Sequence, residues 1–278
     1  MPPKVSVLTP TYNRQCQLVR AVRSALVQTH QNLEVIVIDN ASTDDTWRVA
    51  QNLAAEDSRV RVFRNATNLG PTRNWIAGLE HCAGDYVKVL WSDDWIEPTF
   101  IEELLGPLQA EPGMALAFCA ALVHRTDCDQ PIHFFPDQQS FTPAEYLRRS
   151  LTGNMMPVSP ACALIRRAAA RFRLPIGTDP QLNAIAERFG AGPDLLFLLE
   201  AAAASSRIAY VPKFLTHFEA GRTSITCAHP VEVQEGYRRT REFFAVEMAG
   251  HPAMQAIKSR LTVRRWQQTV KRAFRRQR

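Results

Sequence analysis

Four times before residue 91 an apolar run stops at a polar turn: residues 5–9, 33–38, 60–63 and 86–90. Between these runs the apolar residues change period. Leu18, Val22, Ala25 and Leu26 recur at helical spacing, Trp47, Val49, Ala50 and Leu53 mark a second helix, and residues 72–82 a third. Strands that are apolar almost throughout must be covered on both faces. Alternation with helices supplies that cover through right-handed βαβ units, so the sequence predicts an α/β fold with a mostly parallel sheet.

After the fourth run the spacing predicts a helix over 99–110 and a buried strand over 114–123. Residues 125–142 hold charges, prolines and Phe134-Phe135, and read as an excursion rather than a repeat. A short helix over 143–151, a strand over 161–165 and a helix over 193–204 entered at Pro193 follow. Residues 208–211 and 214–218 read as two short strands, 219–224 as a Gly-containing loop, and 231–248 and the segment from 252 onward as helices. The expected organisation is one α/β domain over 1–230, divided into halves at 1–125 and 126–230, and a helical basic extension over 231–278.

With 278 residues the chain can bury a large core and needs no staple. Its six cysteines, Cys16, Cys82, Cys119, Cys128, Cys162 and Cys227, form no CxxC pair, which argues against zinc or disulfide frameworks and predicts reduced, intracellular thiols. Met1-Pro2-Pro3-Lys4 leads straight into the first strand and no long apolar stretch follows, so neither signal peptide nor membrane span is expected. A cytoplasmic protein, peripheral on a membrane at most, is the resulting expectation. The net charge of +6 is uneven: nine of the 33 Lys and Arg lie in 257–278 without an acid, leaving 24 against 27 acidic residues elsewhere. The basic character therefore belongs to the tail, and nucleic acid is not an expected partner of the body.

The fourth strand runs into Trp91-Ser92-Asp93-Asp94-Trp95. Acids at the carboxyl end of a buried strand sit where open α/β sheets bind ligands, and paired hard oxygens suit a divalent cation beside phosphate. The plainer alternatives are a cap for the helix starting near Pro98 or a turn.

Taken in order, the motifs resemble those of the family 2 glycosyltransferases, inverting GT-A enzymes that use nucleotide-diphospho sugars. They are Pro10-Thr11-Tyr12-Asn13 after the first strand, Asp39-Asn40-Ala41-Ser42-Thr43-Asp44 after the second, Asn68-Leu69-Gly70 with Arg73, and Ser92-Asp93-Asp94. The resemblance covers residues 4–125 well, 126–230 loosely and nothing beyond. It implies a GT-A-like, mixed but mostly parallel sheet flanked by helices. It also implies that Pro10 and Tyr12 line a nucleobase pocket, that Asp39 accepts from the base N–H, and that Arg73 places a cation beside base or diphosphate. By the same resemblance Asp93 holds the ribose, and Asp94 binds Mn²⁺ or Mg²⁺. Trp91 stands where a common form of the motif has a third acid, which leaves open which adjacent carboxylate is the ligand. Asp194 matches the catalytic base that deprotonates the acceptor hydroxyl, with Pro193 in place of the usual preceding acid; Asp179 and Glu187 are the runners-up.

The donor implied is a UDP-sugar and the acceptor a saccharide or lipid-linked hydroxyl, in surface polysaccharide or glycoconjugate synthesis. Two alternatives compete. A nucleotidyltransferase would carry a Gly-rich basic loop after the first strand, and residues 10–14 lack those glycines. A non-catalytic nucleotide-sugar-binding or membrane-docking protein is kept open by Pro193. In the tail, Val263, Trp266, Val270 and Phe274 fall at helical spacing among cations, the pattern of a basic amphipathic helix suited to an anionic membrane.

Overall fold

A computed structural model describes residues 2–260 apart from 126–127, 154, 175–178 and 222–223. The predicted alternation is present: β1 (Val5–Thr11), α1 (Gln17–Leu26), β2 (Leu33–Asp39), α2 (Thr46–Glu56), β3 (Val60–Arg64), α3 (Pro71–Glu80) and β4 (Tyr86–Val89). Beyond it come β5 (Trp95–Ile96), α4 (Phe100–Ala110), β6 (Leu116–His124), β7 (Asp129–Ile132), β8 (Ser140–Phe141), α5 (Pro143–Leu151) and β9 (Ala163–Arg166). The last described elements are α6 (Pro180–Phe189), α7 (Pro193–Ala203), β10 (Ile208–Glu219), α8 (Ile225–Ala228), α9 (Pro230–Glu247) and α10 (Pro252–Arg260).

The strands form one mixed sheet in the order β3-β2-β1-β4-β9-β6-β10-β5, with β7 on β6 and β8 on β10. Its long pairings, β2 with β1 and β3, β1 with β4, and β6 with β10, are parallel. β1 and β2 are buried at every position, as their unbroken apolar runs require. The chain steps outward from β1 to β3 through α1 and α2, then returns past β1 to β4 through α3. Right-handed crossovers therefore set α3 on the opposite face from α1 and α2. Gly78 lets α3 settle close: a Cβ there would lie 2.6 Å from Leu8 and 2.7 Å from Ile38.

One predicted feature differs. The strands expected over 208–211 and 214–218 are one strand, β10, whose register against β6 slips between Val211 and Phe214 and again before Thr216. Pro212 offers no amide to the ladder there, so the strand bulges instead of ending. β9 runs antiparallel between β4 and β6, within the mixed, mostly parallel sheet that was expected.

The segment after 230 packs on the domain. Val233 of α9 clusters with Ile185 of α6 and Ala191, and Gly236 admits the Ala191 carbonyl to 2.9 Å of where a Cβ would stand. No helix among the described residues is long and apolar enough to cross a membrane. The amphipathic tail predicted over 258–278 lies almost wholly outside them.

Candidate active site

The carboxyl ends of β1, β2, β3 and β4 lie side by side, and each delivers a polar group to one edge. At β1, Pro10 is buried within the strand, while Tyr12 just beyond it is 41% exposed. Asn13 turns the chain with φ 52° and ties this loop to the next, its Oδ1 accepting from Thr43 N at 2.9 Å and its own amide donating to Ser42 Oγ at 2.9 Å.

Asp39 closes β2 with its side chain fully enclosed. Its carboxylate accepts from the Ser42 amide at 3.2 Å and from the Ser42 hydroxyl, and it pairs with Arg64 Nε at 3.1 Å from the end of β3. A carboxylate has about four acceptor positions. Asp39 is thus a fixed acceptor whose other partners are supplied by the turn and by β3. The turn carries strain, because Ala41 takes φ 59°, a region that disfavours a Cβ.

Asn40 organises the third loop: its Nδ2 donates to Asn68 Oδ1 at 2.8 Å, and its Oδ1 accepts from Leu69 N at 2.9 Å. Gly70 has φ 77°, and a Cβ there would stand 2.5 Å from the Glu187 carbonyl, so the Asn68-Leu69-Gly70 motif meets both a backbone and a packing demand. Arg73 lies one turn into α3 and pairs with Glu187 of α6 at 2.9 Å, more than half exposed. It is placed at the α3–α6 seam, and no contact brings it to the acidic pair. Glu187 is occupied by that pairing, while Asp179 caps α6 through Gln181 N and Leu182 N and also holds Arg239 at 2.6 Å.

Asp93 and Asp94 form the turn between β4 and β5, closed by Asp94 N donating to Trp91 O at 3.0 Å. Neither caps α4, whose N-cap is Thr99. Asp93 faces Arg14 Nε at 3.6 Å, and its main-chain carbonyl accepts from Arg20 at 2.7 Å. A crevice of 10 Å³ beside it is lined by Arg14, Gln17, Asp93, Glu219, Gly221 and Ser224. Asp94 is 3% exposed and accepts from Glu219 N at 3.2 Å. Burial pushes the Asp94 carboxyl well above the usual range, and the neighbouring Asp93 charge adds to it. Burial also raises Asp93, against the pull of Arg14. Two adjacent acids, Asp94 buried and Asp93 partly so, that resist sharing their charge form a site a cation would relieve.

Lys88, on β4 beneath this turn, is fully buried. Its ammonium lies 4.0 Å from the centre of the Phe100 ring and has no hydrogen-bond partner among the described residues. Burial pulls it down to about 8, and the Asp94 charge opposes that. Trp91, where a third acid might stand, donates from Nε1 to Ser159 Oγ at 2.8 Å and packs on Trp75 at 4.7 Å. It anchors the 3-10 turn Pro160–Cys162.

Among the described residues no cluster of three His, Cys, Asp or Glu side chains could hold a metal ion. The donor set fits a cation only in the manner of one or two carboxylates, the remaining positions being filled by phosphate oxygens and water.

Asp194 lies in the first turn of α7. Its Oδ1 accepts from Gly192 N at 2.9 Å and Leu195 N at 2.8 Å, and its Oδ2 from the Tyr237 hydroxyl of α9 at 2.7 Å. Burial raises its carboxyl to about 6, and those three donors limit the rise. The flanking Pro193 supplies the first helical residue and has no amide to satisfy.

Arg14, Arg64, Glu219, Lys88 and Tyr237 belong to this constellation without a motif that announces them, because only the fold brings them near the acids. A concavity of about 600 Å³ lies at the opposite sheet edge among Gly84, Asp85, Arg166, Arg167 and Arg171. Arg166 and Arg167 there are spent on main-chain carbonyls of Leu108 and Leu79, at 2.8 and 3.3 Å.

An α/β sheet whose carboxyl edge gathers Asp39, Asp93, Asp94 and Arg14 around adjoining loops defines a ligand-binding domain of the doubly wound class. Residues 6–173 match Glycosyl transferase family 2, and the chain belongs to that family. It is 37% identical over 124 residues to the GalNAc(5)-diNAcBac-PP-undecaprenol beta-1,3-glucosyltransferase of Campylobacter jejuni, covering 44% of this chain and 40% of that protein. It is 38% identical over 117 residues to the chondroitin synthase of Escherichia coli, covering 42% of this chain and 17% of the other. The matched stretches span less than half of these relatives. The crystal structure of S. aureus TarS 1–349 in complex with UDP-GlcNAc superposes with a TM-score of 0.69 over 90% of this chain and 67% of that one, at 20% identity. The GT-A-like, mixed sheet expected from the sequence is the fold observed.

Proposed function

We propose that the chain is an inverting glycosyltransferase that moves a hexosyl group from a UDP-sugar to an acceptor hydroxyl. The observation that carries this reading is the convergence of Asp39, Arg14 and the Asp93–Asp94 turn on one sheet edge, behind loops that hydrogen-bond to one another. Asp39, held by Ser42 and Arg64, suits the imide N–H of uracil, since an ionised carboxylate only accepts. Asp93 suits the ribose hydroxyls. TarS, of the same fold, is described in complex with UDP-GlcNAc.

Asp94, with Asp93 beside it, would hold Mn²⁺ or Mg²⁺, and such an ion supplies Lewis-acid stabilisation of the departing diphosphate. Arg14 lines the crevice beside the Asp93 carboxylate and fits the diphosphate better than Arg73, which is directed to α6. Asp194 serves as general base: a carboxyl raised to about 6 is ionised at neutral pH yet basic enough to accept a hydroxyl proton as the acceptor attacks. Tyr237 holds it in orientation. The Campylobacter relative, named for β-1,3 transfer onto an undecaprenol-linked glycan, supports a saccharide or lipid-linked acceptor.

A thermal-shift panel of UDP and UDP-sugars with and without Mn²⁺ tests donor and metal together. Asp94→Ala is expected to remove the Mn²⁺-dependent part of the UDP shift. An undiminished, metal-dependent shift in that variant would remove Asp94 as the ligand.

A further inference from the structure

Behind the acidic turn, four titratable side chains from different stretches stand in single file. Asp129 Oδ1 lies 2.7 Å from His124 Nδ1, His124 Nε2 lies 2.9 Å from His217 Nδ1, and His217 Nε2 lies 2.8 Å from Glu97 Oε1. The file starts on β7, crosses the ends of β6 and β10, and finishes just after β5. Its two carboxylates reach solvent, with side chains 58% and 45% exposed, while His217 at 10% is sheltered between them.

Counting protons fixes its charge. A carboxylate only accepts, so the ring nitrogen each of the two meets carries a hydrogen. That places one proton on His124 Nδ1 and one on His217 Nε2. The inner contact between His124 Nε2 and His217 Nδ1 then needs a third proton, because two bare lone pairs at 2.9 Å repel. Three protons on two imidazoles make one positive charge held in common.

The file leans on the proposed donor site at several points. Trp95, directly after Asp94, stacks on His217 at 5.1 Å with an interplanar angle of 3° and on His124 at 4.7 Å with 24°. A shared imidazolium against an indole face is attractive in a way a neutral pair is not. The His124 carbonyl receives Ala220 N at 3.0 Å, next to the Glu219 amide that donates to Asp94 at 3.2 Å. Arg20 lies over Trp95 at 3.9 Å and donates to the Asp93 carbonyl at 2.7 Å.

We infer that His124 and His217 share one imidazolium proton and act as positioning residues, fixing Trp95 and the Glu219-Ala220 end of β10 against the Asp93–Asp94 turn. The functional part of this inference rests on the reading of that turn as the donor site. Among the described residues, the charged groups next to the file are Asp129 and Glu97 within it, Arg125 beside His124 in the chain, Arg20 over Trp95, and Glu219 two residues beyond His217, whose amide meets Asp94. Burial lowers the His217 imidazole below its ordinary range, against the pull of Glu97. The shared proton is therefore present on the acid side of neutrality and leaves as pH rises. The inner bond then fails, and the hold on the turn loosens.

The test is a titration of the full chain labelled with ¹⁵N-histidine, followed by NMR, beside UDP affinity measured by calorimetry over the same pH range. The two rings are expected to titrate as a coupled pair that gives up one proton, and His217→Asn or the more exposed His124→Gln should displace the midpoint of the remaining ring. UDP affinity of the unaltered chain is expected to fall about tenfold between about pH 5 and about pH 7.5, and to lose that slope in either variant. Two rings titrating independently, or a partner midpoint unmoved by both substitutions, would overturn the inference. Should UDP fail to bind at any pH, the donor reading falls by itself and the ring titrations still decide the shared proton.

Discussion

Asp194 carries two readings that a single substitution separates. It is a first-turn acid serving the buried amides at the start of α7, and it is the proposed base. Its carboxyl titrates at about 6 when folded, against 3.8 for the unconstrained residue. Between those values the folded chain binds a proton that the unfolded chain has released, so this group's contribution to stability falls as pH rises through that window. Above about pH 6 the folded state carries the whole penalty, about 3 kcal/mol for a shift of this size. Asp194→Asn removes the charge and keeps an oxygen for the Gly192 and Leu195 amides. Its new amide can donate to the Tyr237 oxygen. The variant is therefore expected to unfold at higher urea than the parent at pH 7.5, bind UDP as the parent does, and transfer no sugar. In the unaltered enzyme kcat/KM should rise with pH toward a plateau above about 6. Wild-type turnover by Asp194→Asn would leave the residue only its helix-capping role.

At the scale of elements, the edge opposite the site is clamped by one acid. Glu34 on β2 accepts from Ser6 Oγ of β1 at 2.7 Å, Lys4 Nζ at 2.8 Å, Ala83 N after α3 at 2.7 Å and Arg61 of β3 at 3.2 Å. Burial pushes its carboxyl up, but the bonds from Lys4, Ser6 and Ala83 outweigh it and hold the group at about 2. The folded value is below the unfolded 4.5, so the stabilisation is present above about pH 4.5 and is lost as pH falls toward 2. Glu34→Gln should cost up to about 3 kcal/mol in urea unfolding at pH 7, a gap that narrows below about pH 4.5 and is nearly closed only at about pH 2. An equal gap at the two ends of that range would mean that the charge contributes nothing. Such clamps are what a sequence hides. The strands that end in Asp39 and in Asp93–Asp94 are legible because burial on both faces imposes an unbroken apolar run. α6 has a local signal as well: Asp179-Pro180 is a cap followed by a first-turn proline, and Leu182, Ile185, Ala186 and Phe189 repeat at helical spacing before Gly190 at φ 71°. The antiparallel insertion of β9, the buried ammonium of Lys88 and the contact of His124 with His217 across 93 residues had no local signal. Each depends on which strands become neighbours, and a period along the chain does not encode that.

For the whole molecule the dominant asymmetry is electrostatic. Nine of 33 basic residues crowd into 257–278, and the remainder of the chain holds more acids than bases. Such a distribution gives a body that anionic surfaces do not attract and a tail that they do, each Lys or Arg near a charged leaflet adding about 1 kcal/mol. Val263, Trp266, Val270 and Phe274 would add apolar burial if the segment folded as an amphipathic helix on that surface. We therefore expect the chain to cosediment with vesicles containing phosphatidylserine and far less with neutral vesicles. Deletion of 258–278 should remove most of the bound fraction while leaving the UDP thermal shift in place. Raising the salt should weaken binding without abolishing it, because screening acts on the charges and spares the apolar contact. An unchanged bound fraction after the deletion would reject the membrane role, and complete release at moderate salt would mean that the apolar face takes no part. A lipid-linked acceptor would be brought to the Asp93–Asp94 edge by the same attachment, so turnover on an acceptor embedded in anionic vesicles should fall with the deletion while turnover on a soluble acceptor stays constant.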